Sequence, residues 1–345
     1  MLKKAQTILA ILVSIIMLVS CSDGSNANSD ASEQATVSIG VLIYRYDDAF
    51  ITTVRDEMQS YIEKINEEQS LNISVTFLDA NNQQEVQFDQ LDVFLQQGVD
   101  VLCVNIVNRE DAAEMIDAAK KEDIPIVFFN REPITMDMMR WDKVYYVGCD
   151  AGESGRLQGE MVVEFWNENV ETDKNNDGIM QCVFLNGESN HQDTVQRTEN
   201  NLQAFQVNGL EIEILASYTA NWQREEAKNQ IDSCLDAFGE EVEVIISNND
   251  EMALGAIEAI KNNMGYNFEK MVPVFGIDAT QYALDSLNRN ELQGTVLNDG
   301  VSQARGVMDI AIALIIDEYS GALNDLENGR YYWVPYKKVS KDDIE

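Results

Sequence analysis

Ten apolar runs of strand length recur along this chain, separated by longer stretches of helical periodicity, and this alternation limits the fold more than any other feature. The runs are 37–44 (V-S-I-G-V-L-I-Y), 71–77, 101–107, 124–130, 144–148, 180–185, 210–216, 242–247, 272–276 and 295–297. Several are apolar on both faces, as parallel strands covered by helices on each side must be. Between them, Leu157, Met161, Val162 and Phe165 mark one stripe of a helix over 153–166. Strand, helix, strand, helix describes an α/β chain with parallel sheets. Ten strands are many for one sheet, and 345 residues exceed one domain at about 150 residues each. The pattern predicts two doubly wound sheets in two domains.

Charge and the amino terminus narrow the setting. The formal net charge is −36, which repels phosphate backbones and anionic lipid head groups and argues against nucleic-acid and electrostatic membrane roles. Small neutral ligands and cations stay open as partners. Lys3 and Lys4 precede an apolar run over 8–19, and Leu18-Val19-Ser20-Cys21 follows. A basic start, a short apolar stretch and small residues before a cut make residues 1–20 a secretory signal. Ending at cysteine, the signal resembles a bacterial lipobox, with Cys21 diacylated after cleavage. Residues 21–34, rich in Ser, Asn, Asp and Gly, read as a flexible tether. No later stretch approaches a membrane span. Cys103, Cys149, Cys182 and Cys234 allow three disulfide pairings, but Cys103 and Cys182 sit in apolar runs and read as buried thiols.

In doubly wound sheets, ligands bind beyond the carboxyl ends of the strands. The polar residues at or after those ends are Asp47, Asp48, Asn105, His191, Asp193, Asn249, Asp250, Asp278 and Asn298. Facing each other from two sheets, they would converge on one cleft of planar donors and acceptors, with Phe50 and Trp222 adding flat apolar faces. That mixture suits a sugar, whose rim hydroxyls match Asp, Asn and Arg and whose C–H faces match aromatic rings. Asn and Asp after strands are also common turn and helix-cap residues. His191 alone would be a structural histidine, Arg197 a solvated helix residue, and Trp222 a helix-start staple.

The motifs break this tie. Y-R-Y-D-D-A-F (residues 44–50), F-F-N-R-E-P (128–133), Y-Y-V-G-C-D (145–150), N-G-E-S-N-H-Q-D-T-V-Q-R (186–197), S-N-N-D-E-M-A (247–253), F-G-I-D-A (275–279) and T-V-L-N-D (295–299) occur in that order. Together they resemble the bacterial periplasmic galactose/glucose-binding proteins over nearly all of the chain from residue 37. The resemblance implies a periplasmic-binding-protein-like fold (type I), with a hinge between its two doubly wound domains. It implies sugar contacts at Asp48, Phe50, Asn105, His191, Asp193, Arg197, Trp222, Asn249, Asp278 and Asn298. Asp48 would accept from the C4 hydroxyl, and Phe50 and Trp222 would sandwich the ring. Gln192, where relatives often carry proline, and Asn190 depart from the pattern.

A second constellation lies at Asp173, Asn175, Asp177, Gly178, Ile179 and Gln181. Oxygen ligands at loop positions 1, 3, 5 and 9, with a backbone carbonyl from Ile179 at 7, match most of an EF-hand. Position 12 is Phe184, so a self-contained EF-hand fails, and the residues alone fit a calcium loop or an acidic turn equally. The resemblance implies that Glu243 supplies the missing carboxylate and that a structural calcium ion sits there.

The expected architecture is thus a first domain of residues 35–124 plus 299–330 and a second of 125–298 plus 331–345. The expected function is capture of D-galactose or D-glucose in the cleft and delivery to an ABC importer. The alternative is a sugar sensor presenting bound hexose to a chemoreceptor or sensor kinase. No enzyme activity is expected, because a site enclosing a monosaccharide leaves no room for the leaving group that hydrolysis by Asp48 and Asp278 needs. A monomer, exported and lipid-anchored to the outer face of a cell membrane, completes the expectation.

Overall fold

The computed structural model describes residues 36–264 and 271–344. The signal sequence, the tether and Cys21 lie outside the described residues. Twelve strands follow in chain order: β1 Val37–Ile43, β2 Ile73–Asp79, β3 Val101–Val104, β4 Ile126–Phe129, β5 Val144–Gly148, β6 Met180–Asn186, β7 Ile212–Thr219, β8 Val244–Ser247, β9 Val274–Phe275, β10 Thr295–Leu297, β11 Tyr331–Trp333 and β12 Lys337–Val339. All ten runs singled out in the sequence are strands. Short β11 and β12, with mixed polarity, are the two without an apolar run.

The first sheet has the order β11-β5-β4-β3-β1-β2 and is parallel throughout. The second runs β7-β6-β8-β9, also parallel. Bridges from Phe275 to Gly294 and from Asp278 to Leu297 set β10 beside β9, and β12 pairs antiparallel with β10. Successive strand residues point to opposite faces, and the packing follows that rule. In the first sheet Val41, Ile43 and Cys103 pack under the helices Ala49–Gln69 and Gly300–Ala313, whereas Leu42, Leu102 and Val104 pack under the helices of the other face. The second repeats this with Val183 and Leu185 on one side and Cys182 and Phe184 on the other. Burial on both faces is why these strands read as continuous apolar runs.

The architecture is therefore two α/β domains with parallel sheets, and the boundary between them corrects the sequence reading. Placing the crossing at residue 125 assigned β4 and β5 to the second domain. Both pair into the first sheet, β4 with β3 and β5 with β4, so the first domain runs on to Gly148. The final segment divides as well: β11 joins β5 of the first sheet and β12 joins β10 of the second. Strand length and apolarity are alike in the two sheets, so the sequence pattern carries no mark of the changeover. The chain crosses between sheets after β5, after β10 and between β11 and β12. All four cysteines among the described residues are free, with Cys149 the least buried. No helix among the described residues is long and apolar enough to cross a membrane.

Candidate functional site

The carboxyl ends of both sheets meet around a cavity of about 360 Å³. From the first domain it is lined by Tyr44, Asp48, Phe50, Ile51, Asn130 and Arg131. From the second come His191, Asp193, Arg197, Trp222, Asn249 and Asp278, and Asn298 stands on the crossing after β10. Nine of the ten residues expected at a ligand site are thus brought to one cavity. Asn105 is the exception. It is fully buried; its amide nitrogen donates to Phe129 O at 3.3 Å and Asn130 Oδ1 at 3.1 Å, and its Oδ1 accepts no hydrogen bond among the described residues. Asn130, one strand further along the sheet, takes the lining position. The rule that flagged Asn105, a polar residue after a strand, applies equally to Asn130 and Arg131 after β4, and the F-F-N-R-E-P motif contains both.

Helix capping and ligand presentation turn out to be compatible. Asp48 Oδ1 accepts from Ile51 N at 2.9 Å and caps Ala49–Gln69, while its other oxygen accepts from the Tyr44 hydroxyl. His191 caps Gln192–Val207 by accepting from Asp193 N at its Nδ1 (3.1 Å). Asn249 Oδ1 accepts from Met252 N at 3.0 Å in the first turn of Asp250–Met264. Each cap fixes a rotamer with one edge of the side chain and leaves the other facing the cleft.

With Nδ1 as acceptor, neutral His191 carries its proton on Nε2. Burial, with Arg131 and Arg197 nearby, pushes its pKa well below the ordinary value, so it is a neutral donor. Arg197 is 3 % exposed. It donates to Asn248 O at 2.7 Å, Asp193 Oδ2 at 3.2 Å and the Tyr336 hydroxyl at 3.3 Å, and it lies 4.0 Å from Asp278 Oδ1. Burial raises the pKa of Asp193 and, although Arg197 opposes it, pushes Asp278 up to about 7. Asp278 Oδ1 also accepts from the Asn298 amide at 3.1 Å.

Two residues hold rare backbone conformations at this wall. Trp222 has φ +65° and Asp278 φ +124°, both costly outside glycine. Trp222 lies edge-on to His191, with ring centroids 5.1 Å apart. It also rests on Gly187, where a Cβ would fall 2.0 Å from the indole. Across the mouth, Arg131 of the first domain stacks 3.8 Å over Tyr44 and pairs with Glu188 of the second at 3.0 Å. Gln192 donates to Glu132 at 3.0 Å, a second link between the walls.

Away from the cleft, the loop before β6 gathers the other expected set. Asp173 accepts from Asp177 N (3.1 Å) and Gly178 N (2.9 Å), and Asp177 Oδ1 accepts from Ile179 N at 2.8 Å. The Asn175 and Gln181 amides both donate to Asp177 Oδ2, at 2.9 and 3.1 Å. Glu243, remote in sequence, accepts from Lys174 N at 2.7 Å and Gln181 N at 3.0 Å. Among the described residues no group of three or more His, Cys, Asp and Glu side chains stands in metal-holding geometry. The donor set is nonetheless all oxygen and carries three carboxylates. It contains two side-chain amides whose half-turn would present oxygen instead of nitrogen, so its chemistry fits a hard cation.

Comparison with known proteins follows from this geometry. The family model described as "periplasmic binding protein domain" matches residues 39–318. The chain belongs to that family. It is 37% identical over 320 residues to the D-galactose/methyl-galactoside binding periplasmic protein MglB of Haemophilus influenzae, covering 92% of this chain and 93% of that one. A xylitol-binding protein of Mycolicibacterium smegmatis is 27% identical, covering 95% and 83%. Among solved structures, an ABC transporter solute binding protein from Bacillus halodurans with bound myo-inositol superposes with a TM-score of 0.74 at 27% identity, covering 91% of this chain and 97% of that chain.

Proposed function

We propose that this protein captures one hexose, D-galactose or D-glucose, between its two domains and delivers it to an ABC importer. The observation that carries the reading is the cavity wall itself: Asp48, Asn130, Asn249, Asp278 and Asn298 beside His191, Arg197, Phe50 and Trp222. Carboxylates and amides match a rim of hydroxyls, and the buried aromatic rings match the two C–H faces. Each buried polar edge left unpaired by a poorer ligand is costly, which supplies selectivity. The similarity to a galactose-binding relative supports the choice of aldohexose. Closure around the ligand joins the two domain surfaces into one shape for the importer to read. Capture involves no bond made or broken. Family membership supports export, and the lipobox-like L-V-S-C supports an anchor at Cys21, which a Cys21→Ala variant would release from membranes.

The reading includes a structural calcium ion on the loop, held by Asp173, Asn175, Asp177, the Ile179 carbonyl, Gln181 and Glu243. It would offset most of the charge of three carboxylates and tie the loop to the segment entering β8. Tryptophan fluorescence, with Trp222 in the cleft wall, tests the ligand. Titration with D-galactose, D-glucose, D-ribose and myo-inositol should saturate with an aldohexose and not with ribose. Saturation by ribose or inositol alone would sink the hexose assignment.

A further inference from the structure

Asp250 is fully buried, does not line the cavity, and has no ion-pair partner among the described residues. A carboxylate in that position is costly unless donors converge on it. They do: Thr295 Oγ1 donates to its Oδ1 at 2.7 Å and Thr280 N to its Oδ2 at 2.8 Å. Thr295 Oγ1 in turn accepts from Ala279 N at 3.2 Å. The two amides that follow Asp278 are therefore satisfied through one carboxylate.

Those amides belong to the strained stretch. Asp278 has φ +124° and Ala279 φ +53°, conformations that persist only where surrounding contacts over-determine them. Gly276 makes the room, since a Cβ there would stand 2.2 Å from Asp250 Oδ1. Asp250 N donates to Ile277 O at 2.8 Å, so the clamp grips the loop at 277, 279 and 280 and encloses Asp278. Its chain neighbour Asn249 lines the cavity.

We infer that Asp250 is a positioning residue of the ligand site: it holds the loop 277–280 so that Asp278 presents its carboxylate to the cleft in register with Asn249. The amide of asparagine cannot substitute, because both partners donate and its NH2 would face one of them. The inference rests on the hexose-capture reading and specifies how one wall of that site is set.

The test is a double-mutant cycle read by calorimetric hexose affinity and by melting temperature. Asp278→Asn is expected to weaken binding about 100-fold and Asp250→Asn about 30-fold, with the double variant within about threefold of Asp278→Asn alone. Losses that multiply, or an Asp250→Asn affinity within threefold of the parent, overturn the inference. Should Asp250→Asn fail to fold, Thr295→Val is expected to lose about tenfold and Thr295→Ser to restore it. Equal affinity for valine and threonine overturns the inference. Parent protein that binds no hexose defeats the hexose reading alone. The crystal structure of Thr295→Val then decides: Asp278 should leave its positive φ, and an unmoved loop overturns the clamp.

Discussion

Asp193 and Asp278 of the cleft and Asp177 of the loop before β6 are the same residue type shifted in opposite directions. Burial drives Asp278 and Asp193 up, towards neutrality. On the exposed loop, the Ile179 amide and the neighbouring side-chain amides draw Asp177 down. Desolvation disfavours the charge in one place and converging N–H donors favour it in the other. On the proposed reading, the cleft suits a neutral, many-hydroxyl ligand and the loop a cation that needs standing negative charge.

The sharpest break of that comparison alters the cleft wall without touching a charge. Gly187→Ala drives a methyl into the Trp222 ring and is expected to weaken hexose binding about 100-fold, or about 2.7 kcal/mol, leaving calcium binding intact. Calorimetry with both ligands checks this. Loss of both together would mean that the domain, and not the wall, had failed.

Calcium removal probes the other region. Chelation is expected to lower the melting temperature by about 2–3 °C, as an effect near 1–2 kcal/mol gives in a chain of this size, while hexose affinity changes less than twofold. Asp177→Asn should reproduce the shift. A melting temperature indifferent to chelator and calcium would remove the ion from the reading.

Acidity should move the two properties of the cleft in opposite directions. Asp278 faces Arg197, Asn298, Asp48 and Asp193, and its folded pKa lies above its unfolded one. The folded state therefore binds the extra proton between about pH 4 and 7. Stability from this group is gained as pH falls through 7, and Asp193, Asp250 and Glu251 shift in the same sense. A protonated Asp278 is a poorer acceptor for a sugar hydroxyl, so affinity should drop about tenfold from pH 8 to 6. A parallel rise or fall of melting temperature and affinity would place the titrating group elsewhere.

The smallest effect is expected at Gln192. Its bond to Glu132 spans the mouth, and Gln192→Ala should raise the hexose dissociation constant about two- to threefold by loosening closure. Arg131→Ala should do more, because it removes both the Glu188 pair and the lid over Tyr44. Equal effects from the two would argue against Arg131 as the principal latch.

How far the sequence carried the site can be followed residue by residue. Asp48 and Asn249 were legible as caps and as ligand groups, and the structure gives both the cap; His191, read as a structural histidine, also turns out to cap a helix. Asn105 is the one expected contact outside the lining: it is fully buried beside Asn130, and its Oδ1 accepts no hydrogen bond among the described residues. Arg131 and the clamp around Asp250 escaped because their roles come from partners far away in sequence, Glu188 and Thr295.

The sequence by itself determined that this chain is α/β, that several of its strands are buried on both faces and that polar groups gather at their carboxyl ends. Those properties are written in local periodicity and in which residues follow each run. Tertiary structure decided where one sheet ends and the other begins, that Asn130 and Arg131 join the cleft wall, and which carboxylates are pushed toward neutrality. Those outcomes depend on contacts between distant segments and on the water they exclude, and neither is encoded at any single position.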